Sequence, residues 1–157
     1  MGHLVRQCHI AKILQDRGAV ITFFIPDYPP AESWLDRCQF PREILNDPLT
    51  EKETGPLDII ILDIQDTSSA FIKKIKQGKK TVVSFEDCGE GRNHVDLLID
   101  CNLEEKNSVD MSAQTLFGPD YSVLAPEFEA LHAKNRQFTR PIDSVLITFG
   151  GTAPHSL

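Results

Sequence analysis

The chain has 157 residues, 41% of them hydrophobic and 25% charged, and a formal net charge of −7. That composition suits a globular chain of single-domain size and excludes wholesale disorder. The acidity excludes a general nucleic-acid binder, whose affinity rests on neutralising phosphates, and no apolar run approaches the ~18–20 residues of a membrane span.

Leu4, Cys8, Ala11 and Leu14 recur at helical spacing with Ile10 on the flank, which predicts a first helix. Lys12 and Asp16 form an i, i+4 pair away from that stripe. Gly18 is placed to end the helix. Residues 20–25 (VITFFI) are a β-branched and aromatic run, the pattern of a parallel strand buried on both faces. Pro26, Pro29 and Pro30 then predict a loop, after which Trp34 packs on the domain surface.

Residues 57–63 (LDIIILD) predict a second buried strand. Thr67 and Ser68 can cap a helix running to about Gln77, with Gly78 as its terminator. Residues 80–85 (KTVVSF) and 95–100 (VDLLID) predict two more strands. Residues 102–115 read as a loop, 126–133 as a short helix and 144–149 (SVLITF) as a last strand. The polar stretch 133–141 is the linker candidate. Strands alternating with helices predict a Rossmann-like α/β domain, a parallel sheet with flanking helices.

Cys8, Cys38, Cys88 and Cys101 lie far apart without a Cys-x-x-Cys pair, which argues against a metal site or redox motif. No basic start, apolar run and small-residue cleavage site occur together. Reduced thiols in a cytoplasmic setting are therefore the expectation.

Two places carry most of the chemical signal. Gly2-His3-Leu4-Val5-Arg6 opens the first helix, and Thr148-Phe149-Gly150-Gly151-Thr152 closes the last strand. Ligands of open α/β sheets bind where strands end and helices begin. A glycine there lets backbone approach an anion, and a helix N-terminus offers free N–H groups. Histidine suits acid–base work because it titrates near neutrality. No strand precedes the first motif and no helix follows the second. The expectation is a parallel domain lacking its first strand (residues 1–140), joined to the first strand and Gly-Gly turn of a second, nucleotide-binding domain (141–157).

These motifs resemble those of the UDP-sugar hydrolases of pseudaminic acid biosynthesis and the related spore coat polysaccharide biosynthesis proteins (SpsG). That family has a two-domain GT-B fold similar to the glycosyltransferase MurG. Its Gly-x-Gly-His-x-x-Arg signature is matched by Gly2, His3 and Arg6, without the first glycine. Its leucine-glycine-proline-x-tyrosine stretch is matched by Phe117-Gly118-Pro119-Asp120-Tyr121, followed by Glu127-Phe128, with Ala125 where arginine is usual. Its Ile-Thr-Phe-Gly-Gly-(Ser/Thr)-Asp-Pro is matched by 147–152 and Pro154, with Ala153 in place of aspartate. The middle section, Asp63-Ile64-Gln65-Asp66-Thr67-Ser68 and Phe85-Glu86-Asp87-Cys88-Gly89-Glu90-Gly91, is similar to a subgroup found attached to sialic-acid-type cytidylyltransferases.

The resemblance implies hydrolysis of a UDP-linked diacetamido trideoxy sugar at its anomeric C–O bond, releasing UDP, with no metal or cofactor. By matching, His3 activates the water, and Gly2 and Arg6 face the sugar or diphosphate. Gly150, Gly151 and Thr152 approach the diphosphate of UDP. Asp63, Glu86, Asp87 and Tyr121 are the further substrate-binding candidates.

Each has a plainer reading. His3 can be a frayed terminal residue, and Arg6 a surface residue of an exposed turn. Asp63 ends a strand, Asp66 and Thr67 read as helix caps, and Glu86 and Asp87 read as a turn before Gly89 and Gly91. Tyr121 reads as a packed loop aromatic, and His9, His94, His132 and His155 as surface residues.

Three functions remain open: a UDP-sugar hydrolase of nonulosonate or surface-polysaccharide synthesis, an inverting UDP-sugar glycosyltransferase of the MurG type, and a non-catalytic accessory module. In such folds the second domain holds most of the nucleotide, so this chain alone is expected to hydrolyse nothing measurable. The strand 144–149 is expected to fill a central slot between 20–25 and 57–62, within one chain or by exchange in a homodimer.

Overall fold

The computed structural model of the protein describes residues 2–45, 54–102, 114–132, 134 and 145. They divide into two compact units. The first comprises Met1–Phe23, Tyr28–Arg42 and Val123–Leu157, and the second Phe24–Asp27 and Glu43–Ser122. The expected boundary at residue 140 and, Val145 apart, the strand 144–149 assigned to the central slot fall outside the described residues.

In the first unit, α1 (Gly2–Asp16) buries Cys8 and Ala11, members of the expected stripe. Lys12 and Asp16 pair at 3.0 Å on its exposed side, and Gly18 follows at φ +93°, a conformation costly for other residues. The prolines do not leave a loop. Pro29 and Pro30 start α2 (Pro29–Cys38), because a first-turn proline forfeits no helical hydrogen bond. Ala31 and Leu35, four residues apart, are its buried face, and Gln39 ends it at φ 60°. Arg42 reaches back to Asp36 and to Glu32, whose carboxylate lies 3.3 Å away. Those two acidic partners, Asp36 first, raise the Arg42 guanidinium above its ordinary value. Phe23 and Phe40 stack at a tilt with centroids 5.2 Å apart.

The first strand begins later than residues 20–25. Val20 is 98% exposed, and β1 runs Phe23–Pro26 beside β2 (Arg42–Leu45), whose charges mask its strand pattern.

The second unit carries a four-stranded sheet in the order β3 (Ile59–Leu62), β4 (Thr81–Phe85), β5 (Leu97–Asp100), β6 (Gln114–Phe117). Every neighbouring pair is parallel, so the Rossmann-like α/β architecture stands. Ile60 pairs in register with Val82, Ser84 with Leu98 and Ile99 with Leu116. Residues 114 and 115, expected in a loop, belong to β6. The helix α3 (Ser69–Ile75) lays Ile72 and Ile75, both 0% exposed, on Ile60, Leu62, Val82, Val95 and Leu98. Side chains of that size stabilise by about 1.5–3 kcal/mol each when fully buried. Only one face of β3 is covered: Ile60 and Leu62 are buried, whereas Ile59 is 59% and Ile61 37% exposed. The two-sided burial expected from its apolar run is therefore not realised.

Ser68, not Asp66 or Thr67, caps α3 by accepting from Phe71 N at 3.2 Å. At the opposite end of the strands, Lys76 binds Asp96 at 2.6 Å and donates to His94 O at 3.0 Å. Val82 N–H also donates to Asp96 at 2.8 Å. Burial pushes the Asp96 carboxyl up, but Lys76 and the Val82 N–H outweigh it and hold it below the ordinary 3.8. After β6 come Gly118, at φ +96°, and the 3-10 turn Pro119–Tyr121; α4 (Glu127–His132) belongs to the first unit. Among the described residues no helix is long and apolar enough to cross a membrane.

Candidate functional site

Because β3 to β6 are parallel, their C-terminal ends lie along one edge of the sheet. That edge is where open α/β sheets present ligand groups. The residues immediately after the strands are Asp63, Glu86, Cys101 and Gly118. Two of the substrate-binding candidates, Asp63 and Glu86, therefore stand on the edge. A third, Tyr121, follows β6 and is 42% exposed, so it is not a packed loop aromatic.

The two middle stretches of the resemblance are fastened into one unit, and Asp87 is the fastener. It is fully buried. Its Oδ1 accepts from Thr67 N at 3.1 Å and Gly89 N at 2.8 Å. Its Oδ2 accepts from the Thr67 hydroxyl and, at 3.4 Å, from the Ser84 hydroxyl. With four donors from the chain, this carboxylate has no reach to a ligand. Asp87 is thus a positioning group, which corrects both its substrate-binding assignment and its reading as a bare turn.

Backbone bonds add to the clamp: Cys88 N–H donates to Gln65 O at 2.8 Å, and Gly91 N–H to Thr67 O at 2.8 Å. The glycines allow it. A Cβ on Gly89 would fall on the Thr67 backbone and the Asp66 carboxylate, and one on Gly91 on the Thr67 hydroxyl and Ile72. Gly89 and Gly91 therefore serve close packing of the 3-10 turn Glu90–His94 against the head of α3.

Glu86 is the residue this clamp holds in place. Its backbone sits at φ 50°, a left-handed conformation uncommon for a non-glycine residue and concentrated at functional positions. Its N–H still donates to Ile99 O at 2.9 Å. Its Oε1 accepts from the Cys101 thiol at 2.7 Å and from Asn102 Nδ2 at 3.0 Å. Asn102 is fixed again by its own N–H, which donates to Asp100 Oδ1 at 2.9 Å. With Nδ2 engaged by Glu86, Oδ1 is the acceptor atom of this exposed amide.

Cys101 and Asn102 were missed from sequence. The available signal was their place directly after a strand, the same signal that singled out Asp63 and Glu86. Around them the rim is acidic: the described residues of 63–68, 86–94, 101–102 and 118–122 include Asp63, Asp66, Glu86, Glu90 and Asp120 against Arg92, the buried Asp87 aside.

The head of α1 is different. Gly2 and His3 are exposed, and a Cβ on Gly2 would meet nothing within 4 Å. Arg6 Nη2 lies 3.2 Å from His3 Nδ1. With Arg6 as donor, His3 Nδ1 is the acceptor and Nε2 carries the proton. For His3 to take a proton through Nδ1, Arg6 has to swing away. Gly150, Gly151 and Thr152 lie outside the described residues. No group of His, Cys, Asp and Glu among the described residues has the arrangement of a metal site.

Searches with the chain against protein-family models, curated proteins and solved structures gave no match.

Proposed function

We propose that this chain belongs to surface-polysaccharide or nonulosonate synthesis and handles a UDP-linked sugar, holding the sugar moiety at the C-terminal edge of its sheet. The observation that carries this reading is the hydrogen-bonded pair of Glu86 and Asn102, on the same sheet edge as Asp63. Carboxylates and the oxygen of an exposed amide at this edge offer acceptors to a ligand. Hydroxyl and acetamido N–H groups match it, whereas a diphosphate is repelled. The sugar end of the nucleotide sugar therefore docks at this edge, and the diphosphate is assigned to Gly150, Gly151 and Thr152. In the hydrolytic form of the proposal, UDP leaves as water attacks, and the resemblance of its motif gives His3 the role of base.

Calorimetric titration with UDP-N-acetylglucosamine and with UDP alone tests the reading. Binding of the sugar nucleotide is expected to exceed binding of UDP. Asn102→Ala should remove about tenfold of that affinity, one hydrogen bond's worth. Equal binding of both ligands, or an unaffected Asn102→Ala, overturns the assignment of the edge. UDP release without a sugar acceptor supports hydrolysis. Release only with an acceptor points to the glycosyltransferase instead, and binding without release in either case to an accessory module.

A further inference from the structure

We propose that Lys80 and the turn leading into β4 form a binding site for a small oxyanion, a phosphate or a phosphate monoester. The site stands at the opposite end of β4 from Glu86 and does not depend on how the sugar edge is read. Lys80 is 7% exposed. Its Nζ donates to the hydroxyl of Thr54, itself 0% exposed, at 3.2 Å. That hydroxyl answers one of three ammonium protons and none of the charge. Among the described residues no carboxylate lies within ion-pair distance of Lys80, and Asp96 is engaged by Lys76. Asp58 stands beside the start of β4, where its carbonyl receives Thr81 N–H at 3.1 Å, and it makes no ion pair with Lys79 or Lys80 among the described residues. A buried charge without a counter-ion is costly, so the place beside Nζ favours an anion.

The turn supplies further donors. Lys76 has right-handed backbone, and Gly78 at φ +89° and Lys79 at φ 64° are left-handed. Turns of this kind gather successive N–H groups into an anion-binding concavity. The N–H groups of Gly78, Lys79 and Lys80 have no backbone acceptor among the described residues. Lys80 folds back over this turn. Among the described residues, a Cβ on Gly78 would meet only Cε and Nζ of Lys80, each at 3.9 Å. The bare face of the glycine thus leaves room for a ligand atom beside the ammonium. Lys73, Lys74 and Lys79 are exposed on the same segment. No acidic residue occurs between Asp66 and Glu86, in a chain with 23 acidic residues against 16 lysines and arginines. That local excess of positive charge favours a doubly charged phosphate over a carboxylate.

The test titrates the full chain with inorganic phosphate at constant ionic strength, read by amide NMR and by the thermal midpoint. Saturable shifts are expected, centred on the amides of Gly78, Lys79 and Lys80, with a dissociation constant on the order of 1 mM. The midpoint should rise with phosphate and stay level with chloride of equal ionic strength. Lys80→Met keeps an apolar stem and removes the charge. Checked for a native circular dichroism spectrum, it should weaken phosphate binding by about tenfold or more. Lys73→Met, at an exposed position, should change it by less than about twofold. Glycerol 3-phosphate separates the two sources. Tighter binding than inorganic phosphate assigns the site to a monoester, and equal or weaker binding assigns it to free phosphate. The proposal is overturned by the absence of shifts, by shifts that grow without saturating, or by shifts centred away from the turn 78–80. Lys80→Met binding phosphate as well as the unaltered chain does overturns it too. Because the amide map of the unaltered chain locates the site, the outcome stands whether or not the variant folds.

Discussion

Asp87 and His3 both lie in motifs that carry the resemblance, and the fold treats them in opposite ways. Asp87 is buried in a loop whose polar groups satisfy one another, and its carboxylate holds the loop after β3 against the loop after β4. His3 lies exposed on the first turn of α1 and meets Arg6 across one helical turn. A residue type that suggests chemistry can thus serve architecture. In this chain the buried carboxylate places Glu86, and Glu86 presents the polar edge. The head of α1 has the opposite character, with Gly2 and His3 exposed.

The sharpest way to break this contrast is Asp87→Ala. It strands the Thr67 and Gly89 N–H groups and two hydroxyls in a buried place. Each unmet buried donor costs about 1–3 kcal/mol, with part recovered by relaxation. A loss near 3 kcal/mol is expected, read as a fall in the urea midpoint at constant slope. Asp87→Asn, which keeps an acceptor for the N–H groups, should lose roughly half as much. If Asp87→Ala leaves the midpoint unmoved, the clamp holds nothing.

Gly91→Ala probes the same clamp from its steric side. The added methyl lands on the Thr67 hydroxyl and Ile72, with the Ser68 carbonyl oxygen 3.0 Å away. Overpacking of this kind costs about 2 kcal/mol. Ser68→Ala should cost about 1 kcal/mol as a lost helix cap. Thr67→Ser, which keeps the hydroxyl to Asp87, should cost less than Ser68→Ala. The reverse order would return the cap to Thr67.

How much of this was legible follows from the kind of force behind each element. The strands around Ile60, Val82 and Leu98 and the helix carrying Ile72 and Ile75 announce themselves by apolar runs and turn glycines, because burial of those side chains makes them. The start of α2 was hidden because proline is a loop signal except at a helix's first turn, where Pro29 and Pro30 stand. The β2 strand was hidden because Arg42 serves two carboxylates across space rather than alternating with apolar neighbours. At the site, position after a strand exposed Asp63 and Glu86. The role of Asp87 depends on donors twenty residues away at Thr67, and no local pattern encodes that.

A smaller effect comes from the far end of the strands. Asp96 is held below its ordinary 3.8 in the folded chain. Its contribution is therefore complete above that value and is lost as the pH falls through the lower folded value. The pair is 33% and 40% exposed, so solvent screening keeps the contribution under about 1 kcal/mol. Asp96→Asn should narrow the gap between stabilities at pH 6 and pH 3 by about that amount. An unchanged gap would mean that Lys76 and Val82 give Asp96 no preference for its charged form.

The smallest expected effect is the one that completes the contrast. His3→Ala removes an exposed ring whose contact with Arg6, at 3.2 Å, is open to water. Exposed substitutions of this kind change stability by less than about 0.5 kcal/mol. The urea midpoint should therefore stay where it is, while UDP release, wherever it occurs, should fall with the loss of the base. Arg6→Ala separates the two nitrogens. It frees His3 Nδ1 from its donor, so if the ring works as a base through Nδ1, release should persist or rise rather than collapse. A collapse equal to that of His3→Ala would mean that the guanidinium itself meets the reacting nucleotide. A large stability loss in His3→Ala would instead show that the head of α1 is as firmly built as the Asp87 clamp, and the distinction between the two regions would fall.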